Sequence, residues 1–162
     1  MENKLRVGLG YDIHRLEENR DLIIGGEKIP YEKGLFGHSD ADVLVHAIID
    51  AILGAISLPD IGTLFPDTSD EFAGANSLEL LANVVSMMKQ KEYKICNIDT
   101  NIIAERPKMM KYIPNMKRNL SNVIGISEDY ISIKAKTKEH LDSIGQNLAI
   151  EAQAVVLVEK IS

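Results

Sequence analysis

Residues 40–57, DADVLVHAIIDAILGAIS, carry the pattern that decides the fold. Val43, Leu44, Ala47, Ile48, Ala51, Ile52 and Ala55 recur at three- and four-residue spacing, the period of a helix with one face in a core. Ser39 or Asp40 can cap its first turn. One polar stripe interrupts the apolar surface: Asp42, His46 and Asp50, four residues apart. Such a stripe reads either as a solvated helix face or as the wall of a site.

Working outward, residues 4–10 (KLRVGLG) read as a short strand ending on glycines, and residues 22–24 (LII) as another before the Gly25-Gly26 turn. Residues 58–76 are turn-rich, with Pro59, Gly62, Pro66 and Gly74 opposing regular structure; a loop this long in a small domain is usually functional or mobile. Asn76 or Ser77 then caps a helix over about 78–91, and residues 94–105 alternate as a strand. Pro107 opens a third helix ending near Gly125, with Pro114 implying an interruption or a late start. Residues 130–137 and 149–160 read as strands, the latter on its Val-Val-Leu-Val run. The expectation is one α+β domain over 1–162: a mixed sheet of four or five strands with helices on one face.

The chain has 162 residues, 45% of them hydrophobic, enough for one sizeable core. No run approaches the ~18 apolar residues of a membrane span, and the first residues lack a signal-peptide layout, so a cytoplasmic protein is expected. A net charge of −6 disfavours nucleic acid and anionic membranes as partners. It leaves a phosphorylated small molecule open, since metals and backbone N–H groups hold phosphate locally. The single cysteine, Cys96, excludes an internal disulfide and reads as a small buried residue. With no Trp and 5% aromatics, a site built on base stacking is disfavoured.

Asp12 and His14 stand two apart, so in an extended segment both point to one face. With His46 they supply two ring nitrogens and a carboxylate. Three such ligands leave a fourth position open, the pattern of catalytic zinc, although other first-row metals fit it. Asp42 or Asp50 could orient the His46 ring. His38-Ser39-Asp40 precedes the helix, where backbone N–H groups attract phosphate; plain capping explains it as well. Thr137, Lys138 and Glu139 follow a strand and could hold phosphate oxygens and a hard cation such as Mg²⁺, or form only a polar turn. Gly8-x-Gly10 lacks the third glycine of a dinucleotide fingerprint, and Lys108 has no phosphate-loop context.

Five segments together resemble one enzyme family, the 2-C-methyl-D-erythritol 2,4-cyclodiphosphate synthases. They are GLGYDIHRL (8–16), IIGGEKIPYEKGLFGHSDADVLVHAIIDAILGA (23–55), DIGTLFPDTS (60–69), IIAERPKMM (102–110) and, more weakly, KAKTKEHL (134–141). The resemblance implies a ferredoxin-like, homotrimeric enzyme with active sites between subunits. The implied reaction is an intramolecular phosphoryl transfer in the non-mevalonate isoprenoid pathway, releasing CMP from a diphosphocytidyl substrate.

The resemblance also implies roles. Asp12, His14 and His46 would bind Zn²⁺ with a substrate phosphate beside it. His38 and Ser39 would contact phosphate, and His38 and Thr137 would act at the reacting group. Asp60, Ile61 and Gly62 would hold the methylerythritol part, with Phe65, Pro66, Asp67, Thr68 and Ser69 beside them. Ala104, Glu105, Arg106, Pro107, Lys108, Met109 and Met110 would form the cytidine pocket. Lys136, Thr137, Lys138 and Glu139 would border the diphosphate, Glu139 holding Mg²⁺ or Mn²⁺ through it. Two departures stand out. Lys136 stands where the family usually has the first threonine of T-T-x-E, with Thr137 and Glu139 kept, and Asp142 to Asn147 lacks the arginine and glutamate of the usual glycine-rich segment, so the resemblance does not extend to an isoprenoid diphosphate on the trimer axis. A metal-dependent phosphoesterase and an inert trimeric nucleotide- or metal-binding module are the alternative readings.

Overall fold

In the computed structural model, which describes residues 3–161, the first strand does not stop at its glycines. β1 runs from Leu5 to Glu18 and carries Asp12 and His14 within it. The glycines answer a packing demand instead. A Cβ on Gly8 would lie 1.7 Å from the Ala51 carbonyl oxygen, and one on Gly10 would lie 1.7 Å from that of Ala47. Helix α1 (Val43–Ala55) thus rests directly on the backbone of β1.

β2 (Leu22–Ile24) and β3 (Glu27–Ile29) form a hairpin through Gly25 and Gly26, both at positive φ, where glycine is free of the Cβ penalty. β4 (Lys33–Leu35) pairs with the far end of β1. The sequence pattern missed β3 and β4, each only three residues long. α1 is capped by Asp42 rather than by Ser39 or Asp40. The 58–76 segment holds a one-turn helix, α2 (Ile61–Leu64), and a short 3-10 turn at Asp70–Phe72, so its prolines and glycine do not exclude regular structure.

α3 (Ser77–Gln90), capped by Asn76, leads to β5 (Tyr93–Ile103). α4 (Ile113–Ile124) starts late, with Pro114 in its first turn where the missing N–H costs nothing, and ends on Gly125 at φ 80°. β6 (Ile131–Lys136), the unforeseen single turn α5 (Asp142–Gly145) and β7 (Ala149–Lys160) complete the chain.

The main sheet has five strands in the order β4-β1-β7-β5-β6. β7 lies antiparallel between β1 and β5, while β5 and β6 pair in parallel through α4. The mixed sheet matches expectation. Its connectivity departs from the ferredoxin-like pattern: apart from the short edge strand β4 and the one-turn helices, the chain runs β1-α1-α3-β5-α4-β6-β7, with one direct parallel pair, β5 and β6. α1 fills the space between sheet and α3, and its residues Val43 to Ile49 are all buried. The opposite sheet face is uncovered in the single chain. Leu5, Val7, Leu9, Tyr11 and Ile13 alternate outward there, Leu9 being 72% exposed.

Candidate metal centre and its cavity

Period two along β1 places Asp12 and His14 on the same face as Gly8 and Gly10, the face that meets α1. His46 stands one residue before Ala47, whose carbonyl Gly10 faces, so α1 presents it at the end of the close-packed seam. Asp12 Oδ2 lies 2.7 Å from His14 Nε2 and 3.1 Å from His46 Nδ1. The two nitrogens are 3.3 Å apart. Ligand atoms at about 2.0–2.1 Å from a tetrahedral ion stand about 3.3 Å from each other, so this donor set fits a divalent metal with little movement.

The outer ring nitrogens have their own partners. His14 Nδ1 lies 2.9 Å from the Phe36 carbonyl oxygen, an acceptor only, so Nδ1 carries the proton and Nε2 keeps its lone pair for the centre. His46 Nε2 lies 2.9 Å from Ser77 Oγ and 3.2 Å from Ser39 Oγ. Burial opposes charge on both partners of the centre. The imidazoles overcome it at Asp12 and hold that carboxyl below its ordinary value, and Asp12 in turn holds His46 above its own. A metal ion and protons therefore compete for the same lone pairs.

Asp42 and Asp50, expected as possible partners of His46, are used elsewhere. Asp42 is fully buried and accepts the N–H groups of Gly25, Gly26 and Val45, tying the β2–β3 hairpin to the start of α1. Asp50 accepts the Ile61 N–H at 2.8 Å and so anchors α2. Ser77, which sequence reasoning considered only as a cap, is the residue that meets His46. No local pattern could signal it, because the pair is 31 residues apart.

The centre opens into a cavity of about 720 Å³. Its wall gathers Asp12, His14, His38, Ser39, His46, Ile61, Gly62, Phe65 and Asp67, along with Phe36, Gly37 and Leu80, which the sequence did not single out. Asp60 caps α2, accepting the Thr63 N–H and hydroxyl, which hold its carboxyl below the ordinary range. Ser69 offers its carbonyl 3.4 Å from His38 Nε2. Pro66 and Thr68 lie in the same loop but do not line the cavity.

A second cluster forms where the parallel strands β5 and β6 end. The Ala104 N–H donates to the Lys136 carbonyl, and Glu105 accepts the Lys138 N–H at 3.2 Å and meets His140 Nδ1 at 3.1 Å. Thr137 Oγ1 accepts the Glu139 N–H at 3.3 Å, with Glu139 and His140 both at positive φ. Arg106, Lys108 and Met110 are exposed, Met109 is buried, and Pro107 follows a cis peptide bond. The register Ile13–Glu151–Ile103–Lys136 crosses four adjacent strands. At ~4.8 Å per step, β1 and β6 are about 14 Å apart there. One chain therefore places the expected site residues in two groups.

Sheet, centre and cavity together define an α+β protein with a three-ligand candidate metal site open to a small-molecule-sized cavity. The model of the YgbB family matches residues 5–159. A Clostridium tetani 2-C-methyl-D-erythritol 2,4-cyclodiphosphate synthase is 56% identical over 156 residues, 96% of this chain and 99% of its own length. The solved Plasmodium falciparum IspF, a CDP complex, is 39% identical with a TM-score of 0.87, covering 100% of both chains. The bifunctional IspDF of Campylobacter jejuni superposes with a TM-score of 0.93 at 37% identity, covering 97% of this chain, which spans only 42% of that longer protein. The chain belongs to the YgbB family, that of the 2-C-methyl-D-erythritol 2,4-cyclodiphosphate synthases.

Proposed function

We infer that this chain, a phosphorus–oxygen lyase, converts 4-diphosphocytidyl-2-C-methyl-D-erythritol 2-phosphate into 2-C-methyl-D-erythritol 2,4-cyclodiphosphate and CMP. The observation that carries the reading is the Asp12–His14–His46 centre on the wall of a cavity shared with the 61–67 segment, in a chain of this family. In the reaction an oxygen of the substrate's 2-phosphate bonds to the β-phosphorus. The bond from that phosphorus to the oxygen bridging it to the α-phosphorus breaks, and CMP leaves. Positioning and charge neutralisation suffice for such a transfer, and no protein nucleophile is required.

Asp12, His14 and His46 would hold Zn²⁺, which when bound polarises a phosphate oxygen. Ser39 Oγ accepts from the Ala41 N–H and faces His46 Nε2, so its own hydroxyl proton remains for a phosphate oxygen in the cavity. His38, exposed at the cavity rim, supplies a further donor to the same phosphates. Asp60, Ile61, Gly62 and the 65–69 segment close on the methylerythritol part. Ala104 to Met110 would bind cytidine, and Lys136 to Glu139 the diphosphate, with Thr137 donating to the transferring group and Glu139 holding Mg²⁺ or Mn²⁺.

The two residue groups are about 14 Å apart across the sheet, and an apolar face is left uncovered. Both features support a homotrimer in which each site combines the centre of one subunit with the second cluster of its neighbour. On that face β1 is apolar while β5 and β6 offer Asp99, Asn101, Ser132 and Lys134. Unlike edges of this kind suit a head-to-tail contact that closes into a ring. Among the described residues no helix is long and apolar enough to cross a membrane. A cytoplasmic location accords with the small-molecule chemistry.

Incubation with the diphosphocytidyl substrate, Zn²⁺ and Mg²⁺, followed by phosphorus NMR, tests the assignment. CMP together with a cyclic diphosphate is the expected result. A linear phosphate product would instead establish a phosphoesterase, and no product an inert binding module.

A further inference from the structure

The proton inventory around His46 extends beyond the cavity wall. Asp40 Oδ2 accepts the Ser77 N–H at 3.0 Å, and Asp40 Oδ1 accepts both the Asp42 N–H at 3.2 Å and the Ser77 hydroxyl. A carboxylate can only accept, so the Ser77 hydroxyl proton is committed to Asp40. What Ser77 Oγ offers His46 Nε2, 2.9 Å away, is then a lone pair. Nε2 must be the protonated nitrogen, and Nδ1 is left bare toward Asp12 and His14. Ser39 Oγ, already accepting the Ala41 N–H, can accept from the same Nε2–H but lies farther off, at 3.2 Å. Ser77 is fully buried and is the first residue of α3, so the partner is held on a rigid element with water excluded.

We propose that Asp40 and Ser77 are positioning residues that fix His46 as its Nε2–H tautomer and thereby set the metal affinity of the centre. The inference rests on the reading of Asp12, His14 and His46 as a metal site. Asp40 comes from the segment before α1, and Ser77 from the start of α3, directly after the 58–76 loop. The loop that walls the cavity is thus tied at its end to the ring that holds the metal.

Ser77→Ala removes the hydroxyl alone, because Asn76 still caps α3 through its side chain. Zinc affinity is measured on the full-length chain by competition with a chromophoric chelator, for wild type, Ser77→Ala and Asp40→Asn. The expected loss for Ser77→Ala is about 10–100-fold, the usual effect of removing a partner from a metal-bound histidine. In the zinc-loaded wild-type chain the His46 Nε2–H should give a slowly exchanging downfield proton resonance. Ser77→Ala should remove it and Asp40→Asn should shift it. Ser77→Ala also costs the metal-free chain the buried bonds of that hydroxyl, so its urea midpoint should fall, but by less, as free energy, than zinc binding loses. Unaltered zinc affinity with an unaltered resonance would overturn the inference. So would an affinity loss matched by a fall in the metal-free midpoint, which marks a merely structural role. If the wild-type chain binds no zinc, the reading of the centre itself fails, a result separable from both.

Discussion

At the scale of residues, His46 and Asp42 show what a four-residue stripe can and cannot say. The stripe put His46 on one side of α1 with two carboxylates, and the structure keeps that arrangement. It could not assign partners, because Asp42 meets Gly25 and Gly26 from a hairpin 16–17 residues away, and Asp12 reaches His46 across 34 residues. The ligand triad itself was legible only through spacing two in an extended segment plus the surrounding motifs. His46→Ala or Asp12→Asn should abolish turnover and reduce bound zinc; full activity in a zinc-free His46→Ala protein would refute the ligand assignment. Asp42 makes a separate prediction. Burial pushes its carboxyl up to about 6, against three backbone N–H bonds that pull it down. A carboxyl raised by folding favours the native state in its neutral form. That contribution is complete below about pH 4 and is lost as pH rises through 6. The stability of the wild type relative to Asp42→Asn should therefore fall by on the order of 3 kcal/mol between pH 4 and pH 7 in urea denaturation. A flat difference profile would contradict this.

At the scale of elements, the period of α1, the caps at Asn76 and Gly125, the alternation of β5 and β6 and the Val-Val-Leu-Val run of β7 were all readable from local pattern. The end of β1 was not. Glycine usually punctuates a strand, and only the close approach of α1, a tertiary demand, explains Gly8 and Gly10 inside one. The 58–76 segment was likewise too irregular for a periodicity argument, since α2 is one turn long and depends on Asp50 from α1 as well as on its own Asp60 cap. That anchor yields a test. Asp50→Ala frees the Ile61 N–H and loosens the wall that carries Ile61, Gly62 and Phe65. Loss of one such bond, worth about 1–1.5 kcal/mol, should raise KM about tenfold. Zinc affinity should change far less, since Asp50 touches no ligand atom and acts on Asp12 and His46 only through its charge. A zinc affinity that falls with KM would show that the loop and the centre are not separable.

At the scale of the whole molecule, the sheet face opposite α1 is the feature a single chain leaves unfinished. A strand ended at Gly10 gave no sign of it, and only the full length of β1 shows Val7 and Leu9 on the side away from the glycines. Periodicity alone could not say whether a helix or another copy covers that side. The grouping of the site residues into two clusters was not legible at all, because it depends on the strand order β1-β7-β5-β6. Leu9→Glu should disperse the proposed trimer to single chains in sedimentation, lower turnover by at least about a hundredfold, and leave zinc affinity near wild type, because Asp12, His14 and His46 come from one chain. Full turnover by a monomer would contradict the shared site. In the proposed reaction the centre orients a diphosphate for attack by the substrate's own phosphate rather than activating water. Turnover in heavy-oxygen water tests it most directly, with the products read by mass spectrometry. The expected result is a cyclic diphosphate and CMP, neither carrying solvent oxygen; heavy oxygen in CMP or in a linear phosphate product would contradict it.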